Sequence, residues 1–300
     1  MLTCYGYMLS VRRGGIILSC RGERKSLRID QPITIAGEGA ITINLIRETS
    51  KTMSSLILMV GGKPLPLHSI LRSESLRRQV EIILNTPKRL KIARWIVRRR
   101  MEALIECLEA LLLDGKPIIE CLGKAAGSYS VQSLLAVEAN ATIEYYQQLR
   151  RRIPSTYEFI ERTRRPPRDP VSSSLNYGNA ILYKKCHQAI LEEGLDPRVG
   201  FLHNPYRNRA SLTLDLADIF KPLVVDRAVI PLFTSKTMKP GLHYKMKDGE
   251  TLLTGKGKMK ILKAIRLRLK RSREKQSIWR EIKLEANRIR KYVWGEADIR

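Results

Sequence analysis

The hydrophobic pattern of this chain changes period near residue 71, and that change constrains its fold more than any other feature. Before it, short apolar runs are separated by glycines; after it, apolar residues recur every three or four positions. A strand period of about two and a helix period of about 3.6 demand different layers, so two units are expected. Residues 5–11, 15–20, 26–29, 33–36 and 54–60 read as strands. Gly14-Gly15, Gly37 to Gly39 and Gly61-Gly62 supply the turns, and a short helix is expected over 42–49. The expectation is an α+β chain: a β-rich, sandwich-like unit over 1–72, then an all-helical unit over 73–300.

Within the second unit, Thr86-Pro87 reads as an N-cap followed by proline at the first helical position. Val97, Met101, Leu104, Leu108 and Leu111 mark the buried face of that helix, and Asp114-Gly115 ends it. Helical patterns also cover 131–150, 174–193 with Gly194 as the stop, 211–220 and most of 258–294. The segments 164–170 and 202–209 resist a helix.

Charge narrows the partners. The chain of 300 residues carries 55 Lys and Arg against 29 Asp and Glu, a net +26. A surface that basic favours a polyanion, because binding releases the condensed counterions. The apolar runs at 16–18 and 56–60 are far short of the ~20 residues that span a membrane. No basic flank with an apolar run and cleavage site follows Met1. Cys4, Cys20, Cys107, Cys121 and Cys186 are scattered and odd in number, and are expected as reduced, mostly buried thiols. A soluble, cytoplasmic protein without membrane contact is expected.

Four acids and bases stand out against this background. Leu134, Glu138, Ala141 and Tyr145 share one helix face, so Glu138 breaks a stripe that should be buried and needs a cation, a metal or a proton. The alternative is a half-exposed Glu138 paired with an arginine. His203 lies where an apolar element becomes irregular, a place for a ligand or for a structural histidine. Asp215 and Asp218 are neighbours at i and i+3, where like charges want a cation or gain from the helix dipole. Together, oxygen donors with one imidazole suit Mg²⁺ or Mn²⁺ better than zinc. Cys186-His187, mid-helix, reads as core. Basic residues cluster at 98–100, 150–152 and 162–168, and in a run of Lys263, Arg266, Arg268, Lys270, Arg271, Arg273 and Lys275. These are expected as positive surfaces; the last has a solvated helix face as its alternative. Lysine and arginine at such density position a duplex through its phosphates.

The segments RRPPRDP at 164–170, LNYG at 175–178, GLDPRVGFLH at 194–203, SLTLDLADIFKPLVVDR at 211–227 and EANATIEYY from Glu138 occur in an ordered series. In that order the chain resembles the CRISPR-associated protein 1 family, the integrase and endonuclease of CRISPR spacer acquisition. The resemblance implies a dimerising β domain, a helical catalytic domain and a homodimer. It also implies one Mg²⁺ or Mn²⁺ held by Glu138, His203 and Asp218, with Asp215 as an auxiliary acid. Arg164, Arg165, Arg168, Tyr177 and Arg209 are the candidate DNA contacts. The implied partners are double-stranded DNA and a bridging dimer of the small CRISPR-associated protein 2. Two departures stand out: residues 295–298 lack the aromatic ending of many members, and the loop from His203 to Ser211 is a second place of difference. The expected reaction is attack of a DNA 3′-hydroxyl on a phosphodiester of the CRISPR repeat, or hydrolysis when water attacks. The rivals are a mobile-element (casposon-type) integrase and a non-catalytic DNA-binding scaffold.

Overall fold

A computed structural model describes residues 2–12, 15–28, 33–42, 44–45, 56–60, 63–66, 73–207, 209–273 and 276–299. The N-terminal strands are β1 (Leu2–Thr3), β2 (Tyr7–Arg12), β3 (Gly15–Cys20), β4 (Glu23–Leu27), β5 (Ile33–Ala36), β6 (Gly39–Ile41), β7 (Leu56–Val60) and β8 (Lys63–Pro66). They form two four-stranded sheets, β4-β3-β2-β6 and β1-β5-β7-β8. Tyr7, Leu9, Ile16 and Leu18 from the first sheet meet Ile33, Ile35 and Leu56 from the second in one small core. That is the expected sandwich. The period-two alternation along β2 and β3 places those side chains on one face.

At Gly37, with φ +123°, an added Cβ would lie 1.7 Å from the Cys4 carbonyl oxygen, so only glycine fits that crossing. The expectation of five reduced thiols does not hold. Cys4 and Cys20 are joined in a disulfide with Cα atoms 6.4 Å apart, because the β2–β3 hairpin folds back beside the segment after β1. Cys107, Cys121 and Cys186 are free and buried, as expected. Of the helix expected over 42–49, Asn44 and Leu45 are helical, while residue 43 and 46–49 lie outside the described residues. So do the turn glycines Gly14, Gly61 and Gly62.

The helical unit contains α1 (Ser73–Leu84), α2 (Thr86–Ala110), α3 (Lys116–Ala126), α4 (Val131–Arg150), α5 (Pro170–Glu192), α6 (Ser211–Phe220), α7 (Arg227–Thr234), α8 (Gly255–Lys270) and α9 (Ile278–Trp294). A π-helical segment, Lys221–Asp226, joins α6 to α7. The α2 cap is Asn85, one residue before Thr86, its side chain accepting from the Lys88 amide while Pro87 occupies the first turn. Val97, Met101, Leu104 and Leu108 are buried as their spacing requires. The helix ends at Ala110, before Asp114-Gly115. The helical pattern expected over most of 258–294 is made by two helices, α8 and α9, separated by a short ribbon of Ser272–Arg273 with Gln276–Ser277.

The unit is not wholly helical. Strands β9 (Tyr244–Lys247) and β10 (Glu250–Leu253) form a hairpin whose two turn residues, Asp248 and Gly249, have φ of 51° and 76°. A large second core fills the space between the helices. The two units meet along α5: Gln188 Nε2 donates to Thr34 Oγ1 at 3.3 Å, and Thr34 Oγ1 donates to Glu192 Oε1 at 3.0 Å. Among the described residues, no helix is long and apolar enough to cross a membrane.

Candidate active site

Asp215 anchors the site. Fully buried on α6, it accepts from three successive backbone amides: Oδ2 from Phe201 at 2.7 Å and Leu202 at 3.1 Å, Oδ1 from His203 at 3.0 Å. The chain reaches this carboxylate only because residue 200 is glycine. A Cβ there would lie 2.7 Å from the Ser211 carbonyl carbon and 2.9 Å from Asp215 Oδ2. Oδ1 also lies 2.7 Å from His203 Nδ1. With Nδ1 held, the ring presents Nε2 toward Asp218, 3.9 Å from its Oδ2. A carboxylate behind an imidazole fixes ring orientation and raises basicity. Burial alone would lower the His203 pKa, but the hydrogen bond and charge of Asp215, with Asp218 behind, raise it above the ordinary histidine value.

Asp218, one turn further along α6, lies between cations. Arg100 Nη1 on α2 is 3.0 Å from its Oδ2, and Lys221 Nζ binds its Oδ1. Burial would push this carboxyl up; Lys221, Arg100 and His203 outweigh burial and hold it well below the usual carboxylate range. The other terminal nitrogen of the same guanidinium, Arg100 Nη2, is 2.8 Å from Glu138 Oε1 on α4. Thr142, one turn along α4, closes the contact: its hydroxyl donates to Glu138 Oε1 at 2.9 Å and accepts from Arg100 Nη2 at 2.8 Å. Glu138 is therefore half-buried and paired with an arginine, the alternative its position in the stripe left open.

Glu138, His203 and Asp218 thus meet in one cluster from two helices and a loop, with Asp215 behind the histidine. Among the described residues, no three of His, Cys, Asp and Glu stand close enough to hold a metal ion as placed. The donor chemistry nonetheless fits a hard divalent cation. Two carboxylates converge on the two ends of one cation, and an imidazole nitrogen faces the same oxygen of Asp218.

The basic residues divide into two populations. Arg164, Arg165, Arg168 and Arg209 are exposed, as are Arg150 to Arg152. The loop before α5 is braced from within: Arg162 Nη2 donates to Asn176 Oδ1 at 2.6 Å, and Asn176 Nδ2 donates to the Arg164 carbonyl at 2.8 Å. Asp169 caps α5 through the Ser172 amide at 2.7 Å. Tyr177 is half-buried on α5, against the core.

Of the expected surface cations, Arg100 and Arg268 are instead buried and Arg162 is half-buried. Arg100 is buried in the site, Arg162 braces the loop, and Arg268 donates to the Leu223 carbonyl from Nε at 3.1 Å and Nη2 at 2.9 Å. The side chain of Arg273 and all of Lys275 lie outside the described residues. Cys186 is buried as expected of a core residue, whereas His187 is half-buried, its Nδ1 3.0 Å from Thr213 Oγ1.

Arg100, Thr142 and Lys221 are site residues that pattern reading missed. Lys221 had a signal, three residues after Asp218. Arg100 continues the buried four-residue series Ile92, Ile96, which its arginine neighbours obscure.

The model of the family described as CRISPR associated protein Cas1 matches residues 1–266. The "CRISPR-associated endonuclease Cas1" of Thermotoga maritima is 31% identical over 226 residues, covering 73% of this chain and 70% of that protein. A solved CAS1 protein from Thermotoga maritima superposes with a TM-score of 0.74 at 26% identity, covering 100% of this chain and 99% of the other. A casposase bound to its integration product shares the fold, with a TM-score of 0.81 at 22% identity, over 99% of this chain and 95% of the other. The family model spans the sandwich, the ordered motifs and the helical unit as far as residue 266: this chain belongs to the CRISPR-associated Cas1 family.

Proposed function

We propose that this chain is a metal-dependent DNA endonuclease and integrase that joins the 3′-hydroxyl ends of short duplex DNA into a CRISPR repeat by transesterification. The observation that carries this reading is the convergence of Glu138 and Asp218 on one cation beside His203 Nε2. It sits in a chain with net charge +26. Relatives bear the name CRISPR-associated endonuclease, and similar folds occur in complexes of Cas1 with DNA and with Cas2.

Glu138, His203 and Asp218 would hold Mg²⁺ or Mn²⁺, which when bound supplies charge stabilisation at the phosphate and a more acidic attacking hydroxyl. Asp215 fixes the imidazole so that Nε2, not Nδ1, faces the reacting groups. Lys221 adds positive charge beside Asp218. Arg164, Arg165, Arg168 and Arg209 grip phosphates, and Tyr177 helps seat the strand. In the reaction, the attacking 3′-hydroxyl gives up its proton as its oxygen bonds to phosphorus, the bond to the old 3′-oxygen breaks, and that oxygen leaves as a hydroxyl with one proton gained. One phosphodiester replaces another, so no energy-rich cofactor is consumed. Water in place of the hydroxyl gives cleavage. The β-rich unit over 1–72 would pair two copies, and a dimer of the small CRISPR-associated protein 2 would bridge two such pairs.

The test is a repeat-bearing plasmid incubated with Mn²⁺ and a labelled short duplex. Label should join the plasmid at the repeat borders, and a dideoxy 3′-end or a chelator should abolish it. Joining at terminal inverted repeats instead would identify a mobile-element integrase, and the absence of any strand chemistry would leave a DNA-binding scaffold.

A further inference from the structure

We propose that Arg100 is the resident cation of this site and competes with the divalent ion for Glu138 and Asp218. The inference rests on the reading that those residues hold such an ion. Its geometric basis is which atoms are occupied. The Asp218 oxygen nearest the imidazole, Oδ2, is the one that Arg100 Nη1 holds at 3.0 Å, and Lys221 holds the other. Glu138 Oε1 is held at 2.8 Å by Nη2 of the same guanidinium. An ion shared by Glu138, Asp218 and His203 needs the oxygens that Arg100 now occupies.

Burial makes the competition consequential. Arg100 and Asp218 side chains are 9% and 5% exposed, so water does little to compensate either charge when they part. Thr142 fixes the guanidinium from one side, accepting from Nη2 at 2.8 Å. The guanidinium thus supplies the positive charge that faces both carboxylates when no metal is bound. A ligand that must displace an internal partner binds with an affinity lowered by the fraction of sites the partner occupies. Arg100 therefore stabilises the empty site and sets the metal concentration at which it fills.

The test compares full-length wild type with Arg100→Met, which keeps the stem and removes the charge. Mn²⁺ affinity is read by calorimetry or electron paramagnetic resonance, and thermal midpoints are measured in chelator and in saturating Mn²⁺. Competition predicts at least ~10-fold tighter Mn²⁺ binding in Arg100→Met. It also predicts a lower midpoint in chelator and a gap that narrows when Mn²⁺ is added. Should Arg100→Met fail to fold without metal, Arg100→Gln is titrated instead, with the same tightening expected. Unchanged or weaker binding in the variant, or an equal loss of midpoint with and without Mn²⁺, would overturn the inference while leaving the metal site standing. If neither protein binds Mn²⁺, the metal reading falls and this inference with it.

Discussion

The buried cluster around Arg100 and the exposed loop that carries Arg164, Arg165 and Arg168 use the same side chain for opposite purposes. At Arg100 the guanidinium is enclosed, and both of its terminal nitrogens are taken up by Glu138 and Asp218. On the loop before α5 the backbone is locked by Arg162, Asn176 and Asp169, while the three arginines face solvent. A net charge of +26 is thus not a uniform coat. Part of it pairs with internal acids or hydrogen-bonds to internal carbonyls, and part, on the loop before α5, faces solvent.

If that division is right, the largest effect of any single arginine change should fall at Arg100. Replacing it with alanine leaves buried Asp218 and half-buried Glu138 without their shared cation, a loss of about 3–5 kcal/mol, which urea unfolding in chelator measures. A cost near that of a surface arginine would break the comparison.

Asp226 sharpens the buried side. It accepts from the Tyr145 hydroxyl at 2.8 Å, and burial pushes its carboxyl up to about 6 against that hydrogen bond. The folded state then holds a proton the unfolded chain has released. Its contribution to stability is fully present below pH ~4 and is lost as pH rises through ~6. Asp226→Asn should therefore raise stability by about 1–3 kcal/mol at pH 8 and change little at pH ~4. Thermal melts across that range check the sign.

Asp215→Asn weakens the support behind His203 without removing a proposed ligand. About 10- to 100-fold weaker Mn²⁺ binding is expected, and the amide oxygen of the replacement can still accept from the backbone. On the exposed side, Arg164→Ala and Arg165→Ala should change stability by less than ~0.5 kcal/mol. Each should lower the salt slope of duplex binding by about 1. A large stability loss there would place these arginines with Arg100.

Much of this arrangement is legible in the sequence wherever a residue interrupts a regular pattern. The helices over 131–150 and 211–220 are where periodicity puts them. Glu138 stands out because it breaks an apolar stripe, His203 because it ends an apolar run, and Asp218 because it neighbours Asp215 at i+3; the family resemblance is what prefers Asp218 as the ligand. Helix α5 starts at Pro170 rather than 174, because three serines of modest helix propensity conceal a first turn that Asp169 caps. The hairpin over 244–253 carries an Asp-Gly signal, but its first strand alternates with lysine and offers little apolar pattern.

Arg100 is hidden among neighbouring arginines, since its partners come from two other helices and no local spacing reveals them. The disulfide is concealed for the same reason. Cys4 and Cys20 are separated by 16 positions and brought together only by the pairing of strands.

If Glu138, His203 and Asp218 act as one cation site on DNA, no one of them can be lost without losing the chemistry. Single-turnover scission of a labelled duplex in Mn²⁺ tests this, comparing wild type with Glu138→Gln, His203→Ala and Asp218→Asn once circular dichroism shows each variant folded. Each substitution alone is expected to lower the rate at least ~100-fold while duplex affinity changes little. Wild-type rates in any of the three folded variants would contradict a shared site.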